Sequence, residues 1–135
     1  MKGVLLALGF AHCACASCAT SLVSDAEASV VPAKRIIDVT FLEAKTGTGQ
    51  VTIKRDSGAL YAACAIRVFV DARPIADLRT REKIVLHVPQ GEHVFSARPT
   101  CARQTREVSG SVRVGQSIAY RVGYDADLKI EATAF

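Results

Sequence analysis

The sequence predicts an all-β fold: a small antiparallel Ig-like β-sandwich of about eight short strands. Three observations carry the prediction. Apolar and polar residues alternate in short runs from Arg35 onward, Gly, Pro and Asp punctuate those runs at close intervals, and no segment sustains an apolar stripe at helical spacing. Regular turn signals between short alternating runs are the mark of a sandwich or small barrel. At 135 residues the chain has room for one domain with a modest core.

Taken in order, the first element is a leader. Met1 and Lys2 form a positive start, residues 4–11 an apolar run, and small residues follow from Cys13 to Ala19. This is the layout of a signal peptide over 1–18, and the apolar run is too short to span a bilayer. Two processing routes fit. Ala14-Cys15-Ala16 suits a general signal peptidase cutting before Ser17, whereas Ala16-Ser17-Cys18 resembles the end of a bacterial lipobox, with Cys18 as the lipidated first residue. Cys15 stands where a lipobox has an aliphatic side chain. His12, Cys13, Cys15 and Cys18 have metal-ligand chemistry, but their place inside a leader argues against a metal site.

Residues 19–34 are small and polar with one proline, the composition of a flexible tether, and the domain is expected over 35–135. A first strand is expected over 36–42 and a second over 50–55, closed by Asp56-Ser57-Gly58. Residues 63–70 alternate Ile66, Val68 and Val70 with Ala65, Arg67 and Phe69, and Asp71-Ala72-Arg73-Pro74 turns the chain into a return strand over 75–78. Ile84, Leu86 and Val88 share one face of a strand that Pro89-Gln90-Gly91-Glu92 folds into a hairpin with 93–97. After a polar loop over 99–104, alternation returns in 106–114, 117–124 and 128–134.

Between Ile66 and Ala97 the residues Val68-Phe69-Val70-Asp71, Pro74-Ile75-Ala76-Asp77-Leu78 and Ile84 to Val94 resemble PEGA-type surface modules and related small bacterial lipoprotein domains. The resemblance implies an envelope binding or packing domain rather than an enzyme, and it supplies no catalytic residue. Ala72 stands where these modules have Gly, so the turn must avoid positive φ or strain into it.

The chemistry-bearing residues narrow the function further. Cys64 and Cys101, the cysteines of the body, read first as a disulfide in an exported chain, with two separate thiols as the rival. His87 and His93 fall on opposite faces if the expected hairpin forms, which leaves His93 to brace the turn near Pro89. Asp71 with Asp77, and Asp125 with Asp127, could do acid–base work, yet aspartates in turns more often cap backbone amides. No Gly-x-Ser-x-Gly elbow and no phosphate-cradling glycine loop occurs. Arg98, Arg103 and Arg106 surround Cys101 and form a candidate binding loop for carboxylates or phosphates. A net charge of +4 and 6% aromatics with no Trp argue against a nucleic-acid partner.

The expectation is a non-catalytic exported envelope protein, lipidated on Cys18, with no metal or cofactor. It would lie in the periplasm or on the outer membrane of a bacterium and touch membrane only through that lipid. Its partner would be an envelope protein or an anionic envelope polymer. The alternative is a small disulfide-tied inhibitor of a hydrolase, a lysozyme or a protease, with residues 99–106 as the plug.

Overall fold

The computed structural model describes residues 20–134, so the leader, Cys18 and its neighbouring cysteines lie outside the described residues. Nine strands form two sheets, with no α-helix among the described residues. One sheet holds β1 (Ser29–Val30), β5 (Glu82–Pro89), β2 (Thr48–Arg55), β8 (Ser117–Asp125) and β9 (Asp127–Thr133), in that spatial order. The other holds β4 (Arg73–Leu78), β3 (Ile66–Val70), β6 (Gly91–Pro99) and β7 (Arg106–Val112). Most ladders are antiparallel, but β1 with β5 and β2 with β8 run parallel.

The core lies between the sheets and follows from period-two alternation. Val51 and Ile53 of β2, Ile66, Val68 and Val70 of β3, Leu86 and Val88 of β5, Phe95 and Ala97 of β6, and Tyr120 and Val122 of β8 face inward and are buried. Gly110 of β7 faces the same core, and a methyl group there would collide with the Tyr120 hydroxyl. Glycine is therefore required by packing at that position.

Three expectations are corrected. Residues 36–42 form no strand: Ile36 makes one bridge to Ala76, and Asp38 Oδ1 then accepts the Thr40 N–H at 2.8 Å, turning the chain. A side chain that bonds its own backbone competes with the ladder. Ile36, Phe41 and Leu42 still plug the core edge as an irregular segment. The 89–92 turn joins β5 to β6 but does not pair them. His87 opposes Gln50 and His93 opposes Gly110, because the chain crosses between sheets here. Each of these strands carries one apolar face, and both faces are buried when the strands lie in opposite layers.

The third correction concerns residues 19–34, expected as a flexible tether. From Thr20 onward the segment is part of the domain. Ser21 bridges Ser57, β1 adds to β5, and Val23 and Val31 are buried. A single 3₁₀ turn, Ala33–Arg35, follows. Arg35 grips both carboxylate oxygens of Glu82, one at 2.5 Å, and donates to the Asp77 carbonyl at 3.1 Å. Burial alone would raise the Glu82 pKa. The Arg35 guanidinium and the Arg79 N–H outweigh that effect and hold it below the ordinary carboxylate value.

The turn between β3 and β4 does strain into positive φ: Asp71 stands at 49° and Ala72 at 65°. Two left-handed central residues match the twist of the flanking strands, which is why Asp-Gly is preferred there. An L-alanine in that region costs roughly 1–2 kcal/mol. Ala72→Gly should raise stability by about 0.5–1 kcal/mol after allowing for the freer unfolded chain. The check is a urea midpoint at unchanged slope; an unmoved or lower midpoint would mean the turn stores no such strain.

Candidate anion-binding cleft

The outward face of the four-stranded sheet carries the side chains that alternate with its core residues. Arg67 of β3 lies beside Asp77 of β4 on one side and Arg98 of β6 on the other. Asp77 accepts two hydrogen bonds from Arg67, Nε to Oδ1 at 2.8 Å and Nη2 to Oδ2 at 2.9 Å. The carboxylate keeps the Arg67 pKa above its ordinary value and fixes the guanidinium in one orientation. Arg98 packs over the Phe69 ring, its Cζ 5.1 Å from the centroid.

The loop between β6 and β7 closes one side. Cys101 is bonded to Cys64, with Cα atoms 5.9 Å apart, which ties the loop to the segment leading into β3. Thr100 reinforces this tie by donating twice to the Ala65 carbonyl, from its N–H at 2.9 Å and its hydroxyl at 3.1 Å. Together Arg67, Arg98, Pro99, Thr100, Ala102 and Arg103 line a cleft of about 230 Å³. A second hollow of about 210 Å³ adjoins it across Arg98, lined by Phe69, Ser96, Thr105 and Glu107 among others.

The expected trio of Arg98, Arg103 and Arg106 is thus only partly assembled. Arg98 and Arg103 meet in the cleft, whereas Arg106 lies 3.9 Å from the Asp127 carboxylate at the start of β9. Arg67 takes the third place. Neither Arg98 nor Arg103 makes an ion pair with a carboxylate among the described residues. Two unneutralised guanidinium groups beside an oriented third can bind a carboxylate or phosphate, and the one hydroxyl among the residues lining the cleft, that of Thr100, donates to the Ala65 carbonyl.

The remaining candidates are placed elsewhere. Asp71 accepts the Val94 N–H at 2.9 Å and meets His93 Nδ1 at 2.6 Å, while His93 Nε2 lies 2.7 Å from the Pro89 carbonyl. His93 therefore braces the turn, as its position suggested. The Val94 N–H first, and then His93, hold the Asp71 carboxyl below its ordinary pKa. Asp125 binds Lys129 at 2.7 Å. His87 sits on the other sheet from His93, and no group of three metal-ligating side chains assembles among the described residues.

Comparison with protein-family models, curated proteins and solved structures gives no match. The cleft is therefore read from its own chemistry. Its wall depends on the disulfide, whose 37-residue separation is worth about 4 kcal/mol in the loop-entropy model. Cys64→Ser with Cys101→Ser should lower unfolding stability by roughly that amount in denaturant titration. A loss under 1 kcal/mol would show that β3 and the loop are held without the bond.

Proposed function

We propose that this protein is an exported, non-catalytic binding module of the bacterial envelope that recognises an anionic group in the Arg67–Arg98–Arg103 cleft. The supporting observation is that Arg98 and Arg103 share one cleft without a carboxylate partner among the described residues, beside Arg67 oriented by Asp77. Buried or clustered guanidinium groups favour planar oxyanions, which they can meet with two parallel N–H bonds. The ligand is a carboxylate or phosphate carried by an envelope polymer or by a partner protein. The disulfide fits an oxidising compartment. The resemblance of residues 66–97 to PEGA-type modules agrees with a binding role, and Cys18 is the proposed site of lipid attachment. A concave cationic cleft suits a polyanion better than the protruding plug that inhibition of a hydrolase would need.

Two measurements bear on this reading. Poly-glutamate and polyphosphate serve as probes, with binding followed by calorimetry at several salt concentrations. Arg103→Ala should leave the melting temperature within a degree or two and weaken binding at least about tenfold, the order lost with one charged hydrogen bond. Equal binding by the variant, or salt-independent binding, overturns the cleft assignment. Separately, intact mass of the membrane-purified protein should show a diacyl or triacyl addition on a chain beginning at Cys18. A soluble chain beginning at Ser17 overturns the anchor and leaves the cleft untouched.

A further inference from the structure

We infer that the outward face of the five-stranded sheet holds a second oxyanion site, a row of three cations covered by the chain's own residues 20–31. The row is set by register. Lys54 of β2 lies opposite Lys83 of β5 on one side and Arg121 of β8 on the other. Its neighbours Ile53 and Arg55 belong to the buried inner face, so the three cations stand abreast on the outer one.

The covering segment is pinned at both ends. Thr20 Oγ1 accepts the Tyr124 N–H at 2.8 Å and donates to the Tyr124 carbonyl, and Ser21 bridges Ser57. Val23 N donates to Asp56 Oδ1 at 3.2 Å. At the far end Ser29 and Val30 join β5. Between these anchors, on β8 and on β5, the segment spans β2, which lies between those strands, and its own Val23 and Ala28 are buried. It thus runs as a strap across the row.

The outer two cations have carboxylates, and the middle one has none among the described residues. Lys83 meets Asp25 of the strap at 2.8 Å, and Arg121 meets Asp56 at 2.6 Å. Lys54 is 0% exposed, and its Nζ has no hydrogen-bond partner among the described residues. Burying an ammonium without a partner is among the most costly arrangements in a protein interior, and an apolar side chain of similar length would avoid the cost. A cation placed there points to an anion it meets when the strap is lifted. Asp25 is the strap's stand-in: it neutralises Lys83 yet is itself 62% exposed, so it can be displaced. Beside Asp25 a groove of about 420 Å³ opens over Gln50, Thr52, Ser117 and Ala119. Gln50, Thr52 and Ser117 give its wall amide and hydroxyl groups, and Ile118, Ala119, Ala132 and Ala134 give it an apolar part. The ligand is accordingly an amphipathic molecule with a phosphate or carboxylate head, its head on Lys54 and Lys83 and its body along the groove. This site is independent of the arginine cleft.

The test uses the full chain carrying Arg103→Ala, which weakens the cleft, and every gain or loss is read against that parent. Inorganic phosphate and glucuronate are titrated by calorimetry, and amine-reactive labelling is read residue by residue by mass spectrometry. Asp25→Ala should bind one of the two anions at least tenfold more tightly than the parent, and phosphate or glucuronate winning tells which head group is preferred. Lys54, protected in the parent, should become labelled in this variant and be protected again by the anion. Adding Lys54→Met should abolish the binding while leaving the melting temperature no lower than that of Asp25→Ala. No gain in affinity in Asp25→Ala, or a gain that survives Lys54→Met, overturns the site. A marked fall in melting temperature with Lys54→Met also overturns it, since the charge would then serve the fold.

Discussion

The structure hangs on a charged group in its interior. Arg55 ends β2 only 2% exposed, and its guanidinium is held by the carbonyls of Cys64 at 2.6 Å, Tyr61 at 2.9 Å and Leu78 at 3.0 Å. Burial draws its pKa down from the ordinary arginine value, yet arginine remains charged at any pH the fold meets. The carbonyls must therefore stay in place, because a buried charge stripped of partners is far more costly than one never buried. Two of them belong to the loop before β3 and the third to the end of β4. Arg55, at the exit of a strand of the five-stranded sheet, thus gathers an entrance and an exit of the four-stranded sheet around a single cation. The Cys64–Cys101 bond extends this chain of dependence from the core to the wall of the arginine cleft.

The two cationic faces of the sandwich differ in how they are kept. On the four-stranded sheet the cleft is open and its arginines are oriented by Asp77 and Phe69. On the five-stranded sheet the cations are covered and, apart from Lys54, neutralised. The formal net charge of +4 conveys neither arrangement, since acidic residues cancel most of the basic ones in sum but not in space.

Alternation made much of the fold legible. Ile66, Val68 and Val70, then Ile84, Leu86 and Val88, read as one-sided strands and are buried as read. The cysteine pair and the meeting of Arg98 with Arg103 were legible too, because a disulfide fixes which loop lies beside which strand. Arg106 was not, since it opens β7 opposite Ala97 and reaches toward β9, a neighbour no local pattern announces. The strap was hidden for a similar reason: it is anchored by Val23, Ala28 and Val31, too few and too irregular to form a period. Lys54 and Arg55 close the strand expected over 50–55 with no local sign of burial. Only the long-range placement of residues 20–31 and 61–64 reveals that both are interior. The hairpin expected at 89–92 failed because turn chemistry specifies a reversal, not which layer the returning strand joins.

The strap also sets an order of events in time. Its anchor joins Thr20 to Tyr124 across 104 positions, one of the longest separations in the molecule. Contacts so distant in sequence must wait for the intervening chain, and their closure entropy is met only after the local strands have formed. A segment near the start of the chain therefore docks among the last. A strap that docks last leaves the lysine–arginine row facing water until the rest of the sandwich is in place.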